Sequence, residues 1–311
     1  MANFLASLLG PRFWIPAYLT FLLGFVLPGN WEWASVTVPL LLGGILYCTC
    51  LKLPLPDVLA ALADRRRWGQ VGWMTAIKLL ALPVVAWAIT WCVAPTWAPG
   101  VLLVCAMPAG LSSIAFTDIL KGNHVLALLL VAATSILCAL SVPGLLLVFG
   151  PAGGHIDAQV IGGRALYILT LLIVPFVLAQ ITRRVAPVFV AQHYRRWSAG
   201  AVICSCLLGM AGVLVNRGLW AAWHPQQLIA PFALCCVLAV GILALGFAAR
   251  RWVGAHDATA FACCIAYMNN GLSIAFAVRF FHDDPTMILP SILFQIPMIG
   301  SVALIGRINR P

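Results

Sequence analysis

Lys78 is the residue whose type and place first demand a chemical explanation. It lies inside an apolar run, eight residues past Gln70, so its Cα sits about 12 Å along a helix from the nearest polar boundary. A charge at such depth costs at least ~2.5–3.5 kcal/mol on insertion scales, and an ionisable group there marks a pathway or a counter-charge. The competing reading is a four-carbon stem that snorkels to the interface. Two short segments add unusual backbone to this ionisable group. Gly110-Leu111-Ser112-Ser113-Ile114-Ala115-Phe116 returns, less one serine, as Gly271-Leu272-Ser273-Ile274-Ala275-Phe276. Each follows a helix-weakening stretch inside an apolar run, Pro108-Ala109-Gly110 in one half and Asn269-Asn270-Gly271 in the other. Paired interruptions of this kind point to a transporter's binding site, because unwound backbone survives at membrane depth only where it lines a protein cavity.

Other reactive side chains carry less. The 11 cysteines fall mostly in apolar runs. Cys48/Cys50 and Cys204/Cys206 are two apart and so lie on different helix faces, and small buried apolar side chains is the reading adopted for the set. The histidines, His124, His155, His193, His224, His256 and His282, fall in loops or span ends without metal-ligand spacing. Asp118 stands three residues before Lys121, which reads as an i,i+3 surface pair or as a residue at the mouth of a pathway. No nucleophile–base set, phosphate loop or intramembrane carboxylate pair occurs, so an enzyme is not expected.

The elements that must position Lys78 and the two breaks are membrane helices. Apolar residues make up 63% of the chain and charged residues 8%, a composition of all-α polytopic membrane proteins. Hydropathy predicts about ten spans, near 13–28, 34–51, 71–94, 100–120, 124–149, 165–182, 198–215, 228–249, 258–281 and 286–306. No cleavable signal peptide is expected. With both termini cytoplasmic, one side collects Arg12, Lys52, Arg65, Arg66, Arg67, Lys121, Arg183, Arg184, Arg195, Arg196, Arg250, Arg251, Arg307 and Arg310. The other receives only Arg164, Arg217 and Arg279 beside Glu32, Asp157, Asp283 and Asp284. That bias follows the positive-inside rule, so the net charge of +10 calls for no nucleic-acid partner and matches anionic lipid. Ten spans divide into two repeats of five, 1–154 and 155–311. An odd number per repeat inverts the second copy in the membrane.

The residues Pro108-Ala109-Gly110 through Lys121-Gly122-Asn123, the run Lys78-Leu79-Leu80-Ala81-Leu82-Pro83-Val84-Val85-Ala86-Trp87, and the stretch Cys264 to Gly271 together resemble the bile acid:sodium symporter family. The resemblance covers nearly the whole chain. It implies a panel domain from spans 1, 2, 6 and 7 and a core domain from spans 3–5 and 8–10, with unwound spans 4 and 9 crossing at the centre. It implies alternating access, an organic anion as cargo and two sodium ions as the usual driving force. On the same resemblance the sodium ligands are largely lost. Lys78 falls where the family has glutamine, Cys264 and Met268 where it has glutamate and glutamine, Ile114 where it has asparagine, and Ala127 and Val131 where it has serine and threonine. Ser113, Asn269 and Asn270 remain as oxygen donors, too few for the several hard oxygen ligands that a sodium ion needs.

These readings converge on a secondary transporter in the plasma membrane (the bacterial inner membrane) that carries a small organic anion. Its pathway is assigned to Lys78, Pro108, Ala109, Gly110, Ser112, Ser113, Asn269, Asn270, Gly271 and Ser273, with no cofactor and no metal. The expected cycle is independent of sodium, with the Lys78 ammonium in the cation's place. An amine, unlike a metal ion, can also release a proton, so proton coupling and uncoupled transport both stay open. The alternatives are ordinary sodium symport through a rearranged site, a transport-dead receptor, and an arsenite-type efflux carrier suggested by Cys105-Ala106-Met107.

Overall fold

The computed structural model describes residues 14–29, 31–53, 55–63, 65–150, 158–217, 225–282 and 284–308. Arg12, Arg310, Asp157, Asp283, His155, His224 and the expected repeat boundary at 154/155 lie outside the described residues, as do the side chains of Glu32, Arg66 and Arg307. Among the described residues the chain is helical, with no strand. In order the helices are α1 (Trp14–Val26), α2 (Thr37–Cys50), α3 (Leu55–Ala63), α4 (Trp68–Val93), α5 (Ala98–Ala106), α6 (Ser112–Ile119), α7 (His124–Phe149) and α8 (Ala158–Val185). They continue as α9 (Pro187–Gln192), α10 (Tyr194–Val215), α11 (Pro225–Ala248), α12 (Ala255–Ala266), α13 (Asn270–Phe280), α14 (Pro285–Leu293) and α15 (Gln295–Ile308). Among the described residues six helical stretches are long and apolar enough to cross a membrane, and the shorter apolar helices include Ile15–Val26, Pro95–Ala106 and Pro285–Met298.

Local signals explain the element ends. Asn123 caps α7, its side chain accepting from Leu126 N at 3.1 Å, and Asp284 caps α14 through Thr286 N at 2.9 Å. Such caps satisfy donors that the first helical turn leaves free. Pro143, Pro175 and Pro231 lie inside α7, α8 and α11 without ending them, which membrane helices tolerate when neighbours re-satisfy the backbone. The predicted spans at 100–120 and 258–281 are each two helices, as their breaking residues imply. The span expected at 286–306 is also two helices, α14 and α15, meeting at Phe294. Pro290 and Pro297, which lack N–H donors, flank that joint, while Phe294 N donates to Pro290 O and Met298 N to Phe294 O, so the helical path runs on through it. The helix α3, between the second and third predicted spans, was not expected at all.

Two packing groups emerge. Helix α2 packs on α8 and α10, and α10 packs on α1. Separately, α5 packs on α4, α7 and α14, while α12 packs on α6, α7 and α11. Two helices join the groups: α8, which also packs on α7, and α13, which lies against α14 and also against α2 and α10. At one end of the second group Asp257 ties three elements together, accepting from Gln70 Nε2 at 2.9 Å and from Asn123 Nδ2 at 2.6 Å. Lys121 adopts φ 55°, and its carbonyl accepts from His256 Nδ1 at 2.6 Å. Asp118 pairs with His124 Nδ1 at 2.6 Å, which replaces the expected pairing with Lys121. Those two histidines are therefore bound groups and not merely solvated loop residues. The cysteines are free thiols and mostly buried, with Cys92 exposed.

Candidate functional site

The two breaks meet. Helix α5 ends where Met107 turns extended at ψ 148° ahead of Pro108, a residue that disfavours helix in its predecessor. Helix α12 ends at Tyr267, and Asn269 caps α13, its side chain accepting from Leu272 N at 3.2 Å. Between these ends Ala109 and Met268 form an isolated antiparallel bridge. Gly110 N donates to Tyr267 O and Asn269 N donates to Pro108 O, both at 2.8 Å. Ala109 N is met by Thr134 Oγ1 of α7 at 3.2 Å. Backbone groups freed by the break thus find partners inside the protein, the condition for unwinding at membrane depth. Glycine at 110 allows the close approach, since a Cβ there would lie 3.0 Å from Tyr267 Cδ1 and 3.2 Å from the Tyr267 and Met268 carbonyl oxygens and would press the two breaks apart by a few tenths of an ångström.

Lys78 is bonded to this crossing. It sits on a π-helical turn, Ile77–Ala81, inside α4, a distortion frequent at functional sites. Its side chain is buried, and Nζ donates to Cys105 O at 2.8 Å and Met107 O at 2.7 Å. Those carbonyls close the C-terminal end of α5, where the helix dipole is negative and a cation is favoured. The snorkelling alternative is therefore corrected, since the ammonium points into the protein. The positions read as degenerate sodium ligands also cluster. Ser113 Oγ lies 3.5 Å from Cys264 Sγ, which in turn contacts Ala127 O at 3.9 Å. Ile114, Ala127, Val131, Cys264 and Met268 are all buried, so thiol and hydrocarbon fill this volume. Among the described residues no group of three His, Cys, Asp or Glu side chains could hold a metal.

A crevice of about 260 Å³ opens beside the crossing. Five of the expected pathway residues line it: Gly110, Ser112, Asn269, Asn270 and Gly271. The N-termini of α6 and α13 lie on this wall, presenting the positive ends of two helix dipoles. Asn270 Nδ2 donates to Ser291 O at 2.6 Å, while its Oδ1 is buried without a partner. Lys78, Pro108, Ala109, Ser113 and Ser273 stand behind the wall and do not line it; Ser273 Oγ instead meets Ser291 Oγ at 2.6 Å. Sequence reading missed Thr49, Lys52, Ser198, Tyr267 and Gln295 in the lining and Thr134 behind it. A larger apolar groove of about 640 Å³ runs between α4 and α7 beside the exposed Leu80, Leu137 and Leu140. It opens on the flank of the bundle, away from the crossing.

Comparison with known proteins identifies the family. A model of the SBF-like CPA transporter family matches residues 45–306. The chain is 24% identical over 297 residues to YocS of Bacillus subtilis, named an uncharacterized sodium-dependent transporter, covering 92% of this chain and 87% of that one. It is 28% identical over 267 residues to YfeH of Escherichia coli, whose name as a symporter is provisional, covering 81% and 78%. An uncharacterized protein of Pseudomonas aeruginosa, PA2026, is 26% identical over 268 residues, with the same coverage. The family match takes in both breaks, Lys78 and most of the residues that line the crevice: the chain belongs to the SBF-like CPA transporter family, which is bile acid:sodium symporter-like, and it is a multi-pass membrane transporter and not an enzyme.

Proposed function

We propose that the chain carries a small organic anion across the plasma membrane (the bacterial inner membrane) by alternating access, without sodium, and with Lys78 as a tethered substitute for the cation. On this reading the fold has ten passes in two inverted repeats, 1–154 and 155–311, with both termini cytoplasmic. The duplicated Gly-Leu-Ser segment, the antiparallel pairing of the two breaks and the asymmetry of basic residues support it. The packing of α2 on α8 and α10, and of α10 on α1, supports a panel against which the remaining helices, the core, would move. Cargo would sit in the crevice between them, its negative charge facing the N-termini of α6 and α13.

The observation that carries sodium independence is the pair of hydrogen bonds from Lys78 Nζ to Cys105 O and Met107 O. A fixed ammonium neutralises the carbonyl end of the broken helix without any mobile ion. Its proton makes coupling to pH available, and a permanent charge makes uncoupled transport available. A second reading, sodium symport through a rearranged site, is favoured by the name of the Bacillus subtilis relative. The arsenite reading has less support, because Cys105 is buried and does not line the crevice.

The test is uptake into proteoliposomes of a defined mixture of short mono- and dicarboxylates, quantified in the lumen by mass spectrometry. Saturable uptake that is equal in sodium and choline media is the expected result, and a pH gradient then separates proton-coupled from uncoupled transport. Steep dependence on sodium would restore the symporter, and a lumen that stays empty under every condition would speak for a transport-dead receptor.

A further inference from the structure

Among the described residues that line the crevice, Lys52 is the only charged side chain. It follows the end of α2, its backbone N–H bonded to Thr49 O at 3.1 Å. Its Nζ donates to Ser198 Oγ at 3.2 Å and stands 5.8 Å from the centroid of the Tyr194 ring. Both partners belong to the first turns of α10, so the ammonium is held across the gap between two neighbouring helices. No carboxylate among the described residues pairs with it. Burial holds its amine below the ordinary lysine value, opposed only by the Cys48 thiol, which is the signature of a partly desolvated cation short of compensating charge.

We propose that Lys52 is the charge-selecting residue of the crevice, the fixed cation that admits small anions and rejects cations at the end where α2 gives way to the loop. The inference rests on the transport reading and adds a named residue on the opposite wall from the half-helix N-termini. Its position differs from that of Lys78, whose donors are taken by carbonyls behind the wall. The hydroxyl of Ser198 and the face of Tyr194 position the ammonium without neutralising it, because one is a neutral dipole and the other a ring quadrupole. Volume limits the cargo as well. At about 260 Å³ the crevice lies just below the range of about 300–1,000 Å³ usual for ligand pockets. A short-chain carboxylate or sulfonate suits it better than a bulky amphiphile.

Charge selection can be measured without knowing the cargo. Thr49→Cys puts a thiol in the lining one turn before Lys52. Its reaction rates with 2-sulfonatoethyl and 2-(trimethylammonio)ethyl methanethiosulfonate are then compared, with the chain carrying Thr49 as the blank for native thiols. Taking the ratio of the two rates cancels the thiol's own reactivity and leaves the local field. Residues i and i+3 on a helical turn place side chains roughly 5–6 Å apart, and a unit charge at that distance in water shifts such a ratio about tenfold. The sulfonate reagent should be favoured when Lys52 is present, and Lys52→Gln should lower the ratio about tenfold while Lys52→Arg preserves it. Added salt should reduce the ratio in the Lys52 protein itself, a control that needs no variant at 52. A ratio indifferent to salt and to Lys52→Gln overturns the proposal. A thiol at 49 that reacts with neither reagent overturns it too, because the crevice would not be open to water. If the ratio behaves as expected while proteoliposomes take up nothing, the transport reading fails and the anion selection by Lys52 stands.

Discussion

Replacing Lys78 by glutamine and by methionine isolates the two hydrogen bonds that hold the broken end of α5. Both replacements are neutral, so the cost of burying a charge cancels between them. Methionine leaves Cys105 O and Met107 O, now 2.8 and 2.7 Å from the ammonium, with no donor. Glutamine keeps an amide that can return N–H groups to them. A buried acceptor left unmet costs about 1–3 kcal/mol, so Lys78→Met should be less stable than Lys78→Gln by about 1–3 kcal/mol for each carbonyl the amide recovers. The parent gains about 1.5–3 kcal/mol from each charged hydrogen bond and loses at least ~2.5–3.5 kcal/mol to burial of the ammonium. Parent and Lys78→Gln should therefore lie closer together than Lys78→Gln and Lys78→Met. Equilibrium unfolding in mixed micelles of dodecyl sulfate and dodecyl maltoside reads these differences directly. Exchanging choline for sodium should leave all three midpoints in place, since neither substitution supplies a carboxylate. Equal stability of the parent and both variants would refute the reasoning, because the two carbonyls would then lose nothing with their donor. Stabilisation of Lys78→Gln by sodium would show instead that an ion fits where the ammonium was.

Three further outcomes follow from the same geometry. Gly110→Ala should lower uptake by at least about tenfold by prising the two breaks apart, a loss comparable to those that small misplacements cause in reactive sites; Gly271→Ala should be milder, because its Cβ meets the flexible ends of Leu208 and Leu42 and not backbone. Thr134→Val should cost about 1–3 kcal/mol of unfolding free energy through the orphaned Ala109 N–H, and Thr134→Ser should recover most of it. Lys78→Gln combined with Cys264→Glu should give measurable sodium-dependent uptake where neither single change does, because only the pair both removes the ammonium and places a carboxylate beside Ser113; sodium dependence in Lys78→Gln alone would contradict this.

Long apolar runs made the helices legible, and the Pro and Gly signals at 108–110 and 269–271 made the two breaks legible to within a residue or two. The joint at Phe294 left no comparable signal, because its prolines, Pro290 and Pro297, lie off it and interrupt no apolar pattern. The depth of Lys78 was readable from its distance to Gln70, but its partners were not, since a backbone carbonyl carries no sequence signature. The same limit hid Thr134, whose hydroxyl resembles any small side chain on a long helix until Ala109 lies opposite. Lys52 was absorbed into the count of basic residues on one side of the membrane. Its place in the crevice depends on how α2 and α10 approach, which hydropathy does not encode.

The two bonds of Lys78 also bear on the direction of flow. A covalently attached cation cannot be left behind on the far side of the membrane, so it stores no energy from an ion gradient. Each uncoupled turnover with a monovalent anion would then move one net negative charge. At an interior potential of −100 mV that charge is worth about 2.3 kcal/mol, which at equilibrium excludes the anion from the cell about fiftyfold. Such a carrier would work as an outlet for a metabolic acid unless the ammonium released its proton together with the anion and returned as the neutral amine, in which case proton and anion would cross together, the transport would be electroneutral and the cell's pH difference would set its course.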